Sequence, residues 1–247
     1  MRLGVEATIH PSPGQRLSWL IFGVSLGLIS ALCFWDTVYL GLDTHDGQMF
    51  RNNEELSQDW HHFLQPSDQK ENDAGRPTAE LIKWFGYLLW GNNAALFHLF
   101  VVCLHTLAAF LLSVVCQRLG QRLVLSWLAG VLFLINVSHF QAVYHISALD
   151  YPLAQCWTWG AALNFLAYIE RRSAFRIAAF GGCLALALTS HLSSLALLPF
   201  CLFIAWQRRD RVLTTRLLAA AGLCVALGVV LISATSHDTS TWRSVDQ

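Results

Sequence analysis

The chain alternates long uncharged apolar runs with short basic or polar breaks. A helix needs about 20 apolar residues to cross the hydrocarbon core of a bilayer, and five stretches have that length. They are 17–35, which ends at Asp36, then 94–116, 123–149, 151–169 and 217–234. The third is apolar only to about Val137, and Asn136, Ser138, His139, Gln141 and His145 follow. A further uncharged stretch, 177–207, is interrupted by Thr189, Ser190 and His191. Arg171, Arg172 and Arg176 precede it, and Arg208, Arg209 and Arg211 follow it. If both basic clusters face the cytoplasm, an even number of crossings separates them. The pattern therefore predicts a short hairpin bent at Ser190–His191. Its arms are only ~15 residues, below the usual span, so a re-entrant arrangement stays open.

Between the first two spans lies the one large extramembrane segment. Within it, 54–64 and 78–90 have helical spacing, with apolar edges at Trp60, Phe63 and Leu64 and at Leu81, Trp84, Phe85 and Leu88. These predict two amphipathic helices lying in the interface. The expected fold is all-α and integral to the membrane, with about seven transmembrane helices, the N-terminus inside and the C-terminus outside. Its parts are a cytoplasmic 1–16, a first span with its exit 17–41, an outer loop 42–93, six further spans across 94–234 and an outer tail 235–247.

Charge adds orientation. The 247 residues hold 16 basic and 16 acidic side chains, and only 13% are charged against 55% hydrophobic. A soluble domain carries about 25% charged residues, and a nucleic-acid binder would show a basic excess. On the predicted topology, eleven arginines and three acids fall inside, a net +8, and five basic and thirteen acidic residues fall outside, a net −8. The positive-inside rule expects that polarity. The first apolar run is too long for a cleaved signal peptide and reads as a retained anchor. The seven cysteines lie in or beside spans and read as packing residues, with no disulfide framework.

Candidate chemistry gathers at the predicted outer ends. Asp43 and Asp46 follow the first span, where a carboxylate can serve as a general base or take a divalent cation. His98 and His105, two helical turns apart, share a face of the second span. His139, Gln141 and Asp150 sit at the outer ends of the third and fourth. Intramembrane ionisable groups are candidate functional sites, though neutral histidines hydrogen-bonded across a bundle are the more common case for such a pair. The sequence shows no Cys/His zinc pattern, phosphate-binding glycine loop or Gly-x-Ser-x-Gly elbow.

In order and spacing these residues resemble the membrane half of the GT-C glycosyltransferases, in particular the transmembrane O-mannosyltransferases that carry tetratricopeptide repeats and their bacterial relatives. The resemblance runs from about Trp35 to Pro199. It is carried by His45-Asp46 with Asn52-Asn53, Arg76-Pro77-Thr78, Phe97-His98-Leu99 with His105, Asn136 to Val143, Ser147 to Asp150, and Ser190-His191-Leu192 with Pro199. It implies sugar transfer from a polyprenyl-phosphate donor. Asp46, aided by Asp43, would be the base, and Arg76, His98, His105, His139, Gln141, Asp150 and His191 would lie along the substrate. The chain departs from the family at Gln141, where a glutamate is usual, and at His191-Leu192, which replaces a Lys-Glu pair. On the predicted topology the spans number about seven, where the family usually has more.

Two functions follow. One is a non-catalytic member that serves as an accessory or structural subunit of a larger membrane complex and needs no cofactor. The other is a compact transferase that uses Asp46 and a lipid-linked sugar, with or without a divalent cation. Expected partners are the bilayer and other membrane subunits, not nucleic acid. Arginine outnumbers lysine fourteen to two, which points to a GC-rich bacterial genome, hence an inner membrane with the large loop in the periplasm.

Overall fold

The computed structural model describes residues 13–41, 44–58, 76–215 and 217. Every regular element among them is helical. α1 (Pro13–Phe34) runs into a 3-10 turn at Trp35–Tyr39, and α2 (Thr44–Gln58) and α3 (Pro77–Trp90) follow. Next come α4 (Ala94–Arg118) and α5 (Leu123–Leu134), then the short α6 (Phe140–Tyr144) between 3-10 turns at Val137–His139 and Ile146–Leu149. α7 (Asp150–Glu170), α8 (Ala174–Ser190), a 3-10 turn at Leu192–Ala196 and α9 (Leu197–Gln207) complete the order.

Among the described residues, two segments, Pro13–Tyr39 and Ala94–Arg118, are long and apolar enough to cross a membrane. The third expected span is not one helix. α5 has 12 residues, about 18 Å at 1.5 Å per residue, and the chain beyond it breaks into short turns. Asn136 explains the break: its side-chain oxygen accepts the Ser138 amide at 3.1 Å, a local bond that competes with the helical ladder. α2 also departs from expectation. It starts at Thr44, ten residues before the predicted helix, and 59–64 lie outside the described residues. Its buried side is Asp46, Met49, Phe50, Asn53 and Leu56, a helical stripe. The apolar edge expected at Trp60–Leu64 is not what sets it. The last expected span, 217–234, lies outside the described residues apart from Leu217.

α7 is the central helix, packed on α4 along one side and on α8 along another. Ala161, Ala162, Phe165, Phe180, Leu197 and Cys201 form the core between α7, α8 and α9. A second core joins α1, α4 and α5 through Phe22, Leu26, Ala109 and Leu134, with Phe22 stacked on Trp127 at 5.0 Å. At His191 the backbone becomes extended, at φ −159 and ψ 132. α9 then returns towards the start of α8, since Arg172, before α8, bonds Asp210, after α9. Arg118 likewise bonds Glu170 at 3.1 Å. The ends of α4, α7 and α9 and the start of α8 therefore share one end of the bundle.

α2 and α3 sit at the other end. Met49 and Phe50 pack with Phe97 and Ile146, and Ala79 packs with Val101, Leu149 and Leu153. α3 is inside out by the rules of a soluble helix. It buries Ala79, Glu80, Lys83 and Gly86, while Leu81, Phe85, Leu88 and Leu89 are exposed. α1 likewise exposes Leu17, Leu20, Ile21, Val24, Leu28 and Leu32 along one side.

Candidate functional site

The expected site residues fall into two groups. The first forms where α2, α3, the Ile146–Leu149 turn, the start of α7 and the end of α8 meet. Asp46, in the first turn of α2, is 1% exposed, and its Oδ1 accepts the Ser147 amide at 2.8 Å. Ser147 is gripped from its other side, because Lys83 Nζ donates to its carbonyl at 2.8 Å. Lys83 is also 1% exposed and Glu80 only 5%. Three residues apart on α3, the two face the same side. A buried ammonium is tolerated only where its lost hydration is compensated; here the Ser147 carbonyl accepts from it, and Glu80 is buried on the same side of α3.

One step further along, Arg76 donates through Nη1 to Oδ2 of Asp150. Asp150 opens α7 and is fully buried, while Arg76, just before α3, keeps about a third of its side chain exposed. Thr78 and Thr189 share a hydroxyl hydrogen bond of 2.6 Å, which ties the start of α3 to the end of α8. At the turn beyond α8, outside the helical arms, the His191 ring lies 4.3 Å from that of Tyr151. Its Nδ1 accepts the Ser193 amide at 3.1 Å. Asp46, Arg76, Asp150 and His191, scattered over 146 positions of sequence, are thus one polar corner.

Burial first, then the nearby Arg76 guanidinium, pushes the His191 imidazole below its ordinary value, and Asp150 pulls the other way. The sign follows. The unfolded chain binds the proton more readily, so stability is retained above pH ~6.5 and falls as pH drops through that value towards the lower folded one. His191→Gln is expected to reduce the loss of thermal stability between pH 7.5 and 5.5. An unchanged pH dependence would assign that loss to other groups.

The second group is separate. His105 and His139 stand 5.2 Å apart, ring to ring, in a nearly perpendicular arrangement. His105 Nε2 donates to the Leu134 carbonyl at 3.1 Å and His139 Nδ1 to the Phe133 carbonyl at 3.2 Å. Those are carbonyls of the last turn of α5, where the helical ladder runs out. The two histidines therefore cap a broken helix. His98 is buried on α4 beside Phe97, whose ring packs edge-on against Phe50 and Trp90.

Gln141 is exposed on α6, and the structure does not bring it into the corner expected of it. Asp43 lies outside the described residues. The corner's missed members are Glu80 and Lys83. A Glu and a Lys three apart on an amphipathic helix read as a solvated pair. The one available signal was that the apolar edge at Leu81, Trp84, Phe85 and Leu88 leaves them on the opposite face, which a membrane-lying helix turns inward.

Among the described residues, no group of three or more His, Cys, Asp or Glu is arranged to hold a metal ion. What the corner does chemically is cross-link helices: Asp46 holds the Ser147 amide, Lys83 holds the Ser147 carbonyl, and Asp150 holds the Arg76 guanidinium. No protein-family model matches this chain, and neither does any curated protein or solved structure.

Proposed function

We propose that the protein is a non-catalytic, GT-C-like membrane protein that serves as an accessory subunit of a larger membrane complex. The observation that carries the reading is the state of its acidic residues. Asp46 is buried and engaged with the Ser147 amide, and Asp150 is buried and paired with Arg76. Carboxylates held this way lock α2, α3 and α7 together. The position where the resembling family has a further glutamate, Gln141, is neutral and faces outward. The inside-out pattern of α3 and the apolar side of α1 supply lateral surface for lipid or for neighbouring helices. In this reading the polar corner lies at the periplasmic face of a bacterial inner membrane, and the arginine-rich ends of α4, α7 and α9 lie in the cytoplasm.

The test is extraction in a mild detergent, followed by native sizing and mass spectrometry of what co-migrates. A large assembly of fixed stoichiometry is the expected result. A monodisperse monomer overturns the reading.

A second reading is favoured by one observation, the partly exposed Arg76 guanidinium beside His191, a cationic spot able to meet a donor phosphate. There the chain is a compact polyprenyl-phosphate-sugar transferase with Asp46 as base. In that case Asp46→Asn abolishes sugar transfer while the protein remains folded.

A further inference from the structure

The end of the bundle opposite Asp46 carries a concentration of charge that neither reading uses. All eight arginines between residues 118 and 211 lie there, against only Glu170 and Asp210 in the same connections. Both acids are taken up within the bundle, Glu170 by Arg118 and Asp210 by Arg172. Six arginines are left in excess. Of these Arg122, Arg171, Arg208, Arg209 and Arg211 are exposed.

The connection after α9 is built at a conformational cost. The Arg209 amide bonds the Trp206 carbonyl at 2.9 Å and the Asp210 amide bonds the Ala205 carbonyl at 3.1 Å. This paired closure of a helix end places its pivot in the left-handed region. α4 ends in the same way, with Gly120 as pivot at φ 85. In α9 the pivot is Arg209 at φ 54, where a glycine would sit without strain. A strained non-glycine residue within a like-charged cluster is the kind of outlier that points to function.

Apolar side chains border the charges. Phe203 and Trp206, one turn apart on α9, are 51% and 68% exposed, and Val212 and Phe175 are 63% and 78% exposed. Aromatic and aliphatic groups on the lateral surface with guanidinium groups just beyond them match the boundary between acyl chains and headgroups.

We propose that this face is a binding site for anionic phospholipids, with Arg208, Arg209 and Arg211 holding the headgroup phosphate and Phe203, Trp206 and Val212 lying along the acyl chains. Guanidinium groups donate paired hydrogen bonds to phosphate oxygens. The lateral apolar border favours a lipid over an acidic protein, which would meet the charged end alone. The inference rests on the membrane reading given above.

The experiment uses the full chain in mild detergent, offered equimolar phosphatidylglycerol and phosphatidylcholine and examined by native mass spectrometry. The wild type is expected to retain phosphatidylglycerol preferentially. The preference should fall by about fivefold for each arginine removed in Arg208→Gln, Arg209→Gln and Arg211→Gln. Arg51→Gln, an exposed charge on α2, should leave it unchanged. Arg209→Gly relieves the strained pivot and so keeps the fold, yet should lower the preference. Equal retention of the two lipids, or a preference unchanged in the triple variant, overturns the proposal while the membrane reading stands. So does an acidic protein that co-purifies through these arginines with no lipid preference. A chain that stays dispersed without detergent overturns both.

Discussion

Gly130→Ala is expected to destabilise the protein by about 3 kcal/mol, the upper end of what overpacking costs. An added Cβ on Gly130 would lie 2.0 Å from Ser113 Oγ and 2.8 Å from the Ala109 carbonyl oxygen. The serine hydroxyl can rotate away by giving up its 3.0 Å bond to the Ala109 carbonyl. The carbonyl itself is backbone and moves only if α4 and α5 separate. Ser113→Ala in the Gly130→Ala background should therefore recover only part of the loss. Gly27→Ala is the control, because nothing lies within 4 Å of its added Cβ and alanine favours a helix by about 0.5–1 kcal/mol. Unfolding of the three variants in detergent checks the order. A Gly130→Ala protein as stable as wild type would mean that α4 and α5 do not pack this closely.

Lys83→Met should cost about 2–3 kcal/mol, because a buried carbonyl loses a charged donor. Methionine keeps most of the side-chain volume, so the loss isolates the ammonium. Its removal leaves the Ser147 carbonyl without its donor, in a corner where Asp46 and Glu80 are also buried. Asp46→Asn is milder, about 1–2 kcal/mol, because an amide oxygen still accepts the Ser147 amide. The ranking separates the two functional readings. If the corner is a structural latch, Lys83→Met unfolds more readily than Asp46→Asn, and assembly with the partner falls in the same order. If the corner is catalytic, Asp46→Asn stays folded and is null in sugar transfer. An Asp46→Asn protein that is fully active would remove the base from the second reading.

Parts of this organisation were legible before any coordinates. The run 94–116 has no formal charge and enough length, and it is α4. The interruption at Thr189-Ser190-His191 is the break between α8 and α9, because a polar cluster in an apolar run gives the backbone alternative hydrogen-bond partners. The start of α2 was missed for the converse reason. Its buried stripe contains Asp46 and Asn53, and polar residues on the inner side of a helix defeat a search for apolar spacing. Asn136 hid the end of α5 in the same way, since a single side chain accepting one amide outweighed an apolar run. His105 and His139 bond carbonyls of the last turn of α5, partners that no sequence pattern shows because they depend on α5 stopping at Leu134.

The sequence by itself determined that the chain is helical and where its charges change sign; of the spans it suggested, the described residues form two helices with the length and apolarity to cross a membrane. Hydropathy and charge order are local properties, summed along the chain and independent of how helices meet. Only the tertiary structure decided which polar residues share one buried corner. It buried Lys83 and Glu80 and bonded Lys83 to the Ser147 carbonyl, paired Arg76 with Asp150 across 74 positions, and left Gln141 exposed. Those choices depend on which face of α3 turns towards α4 and α7. The energy of a buried charge depends on its neighbours in space, which no local pattern specifies.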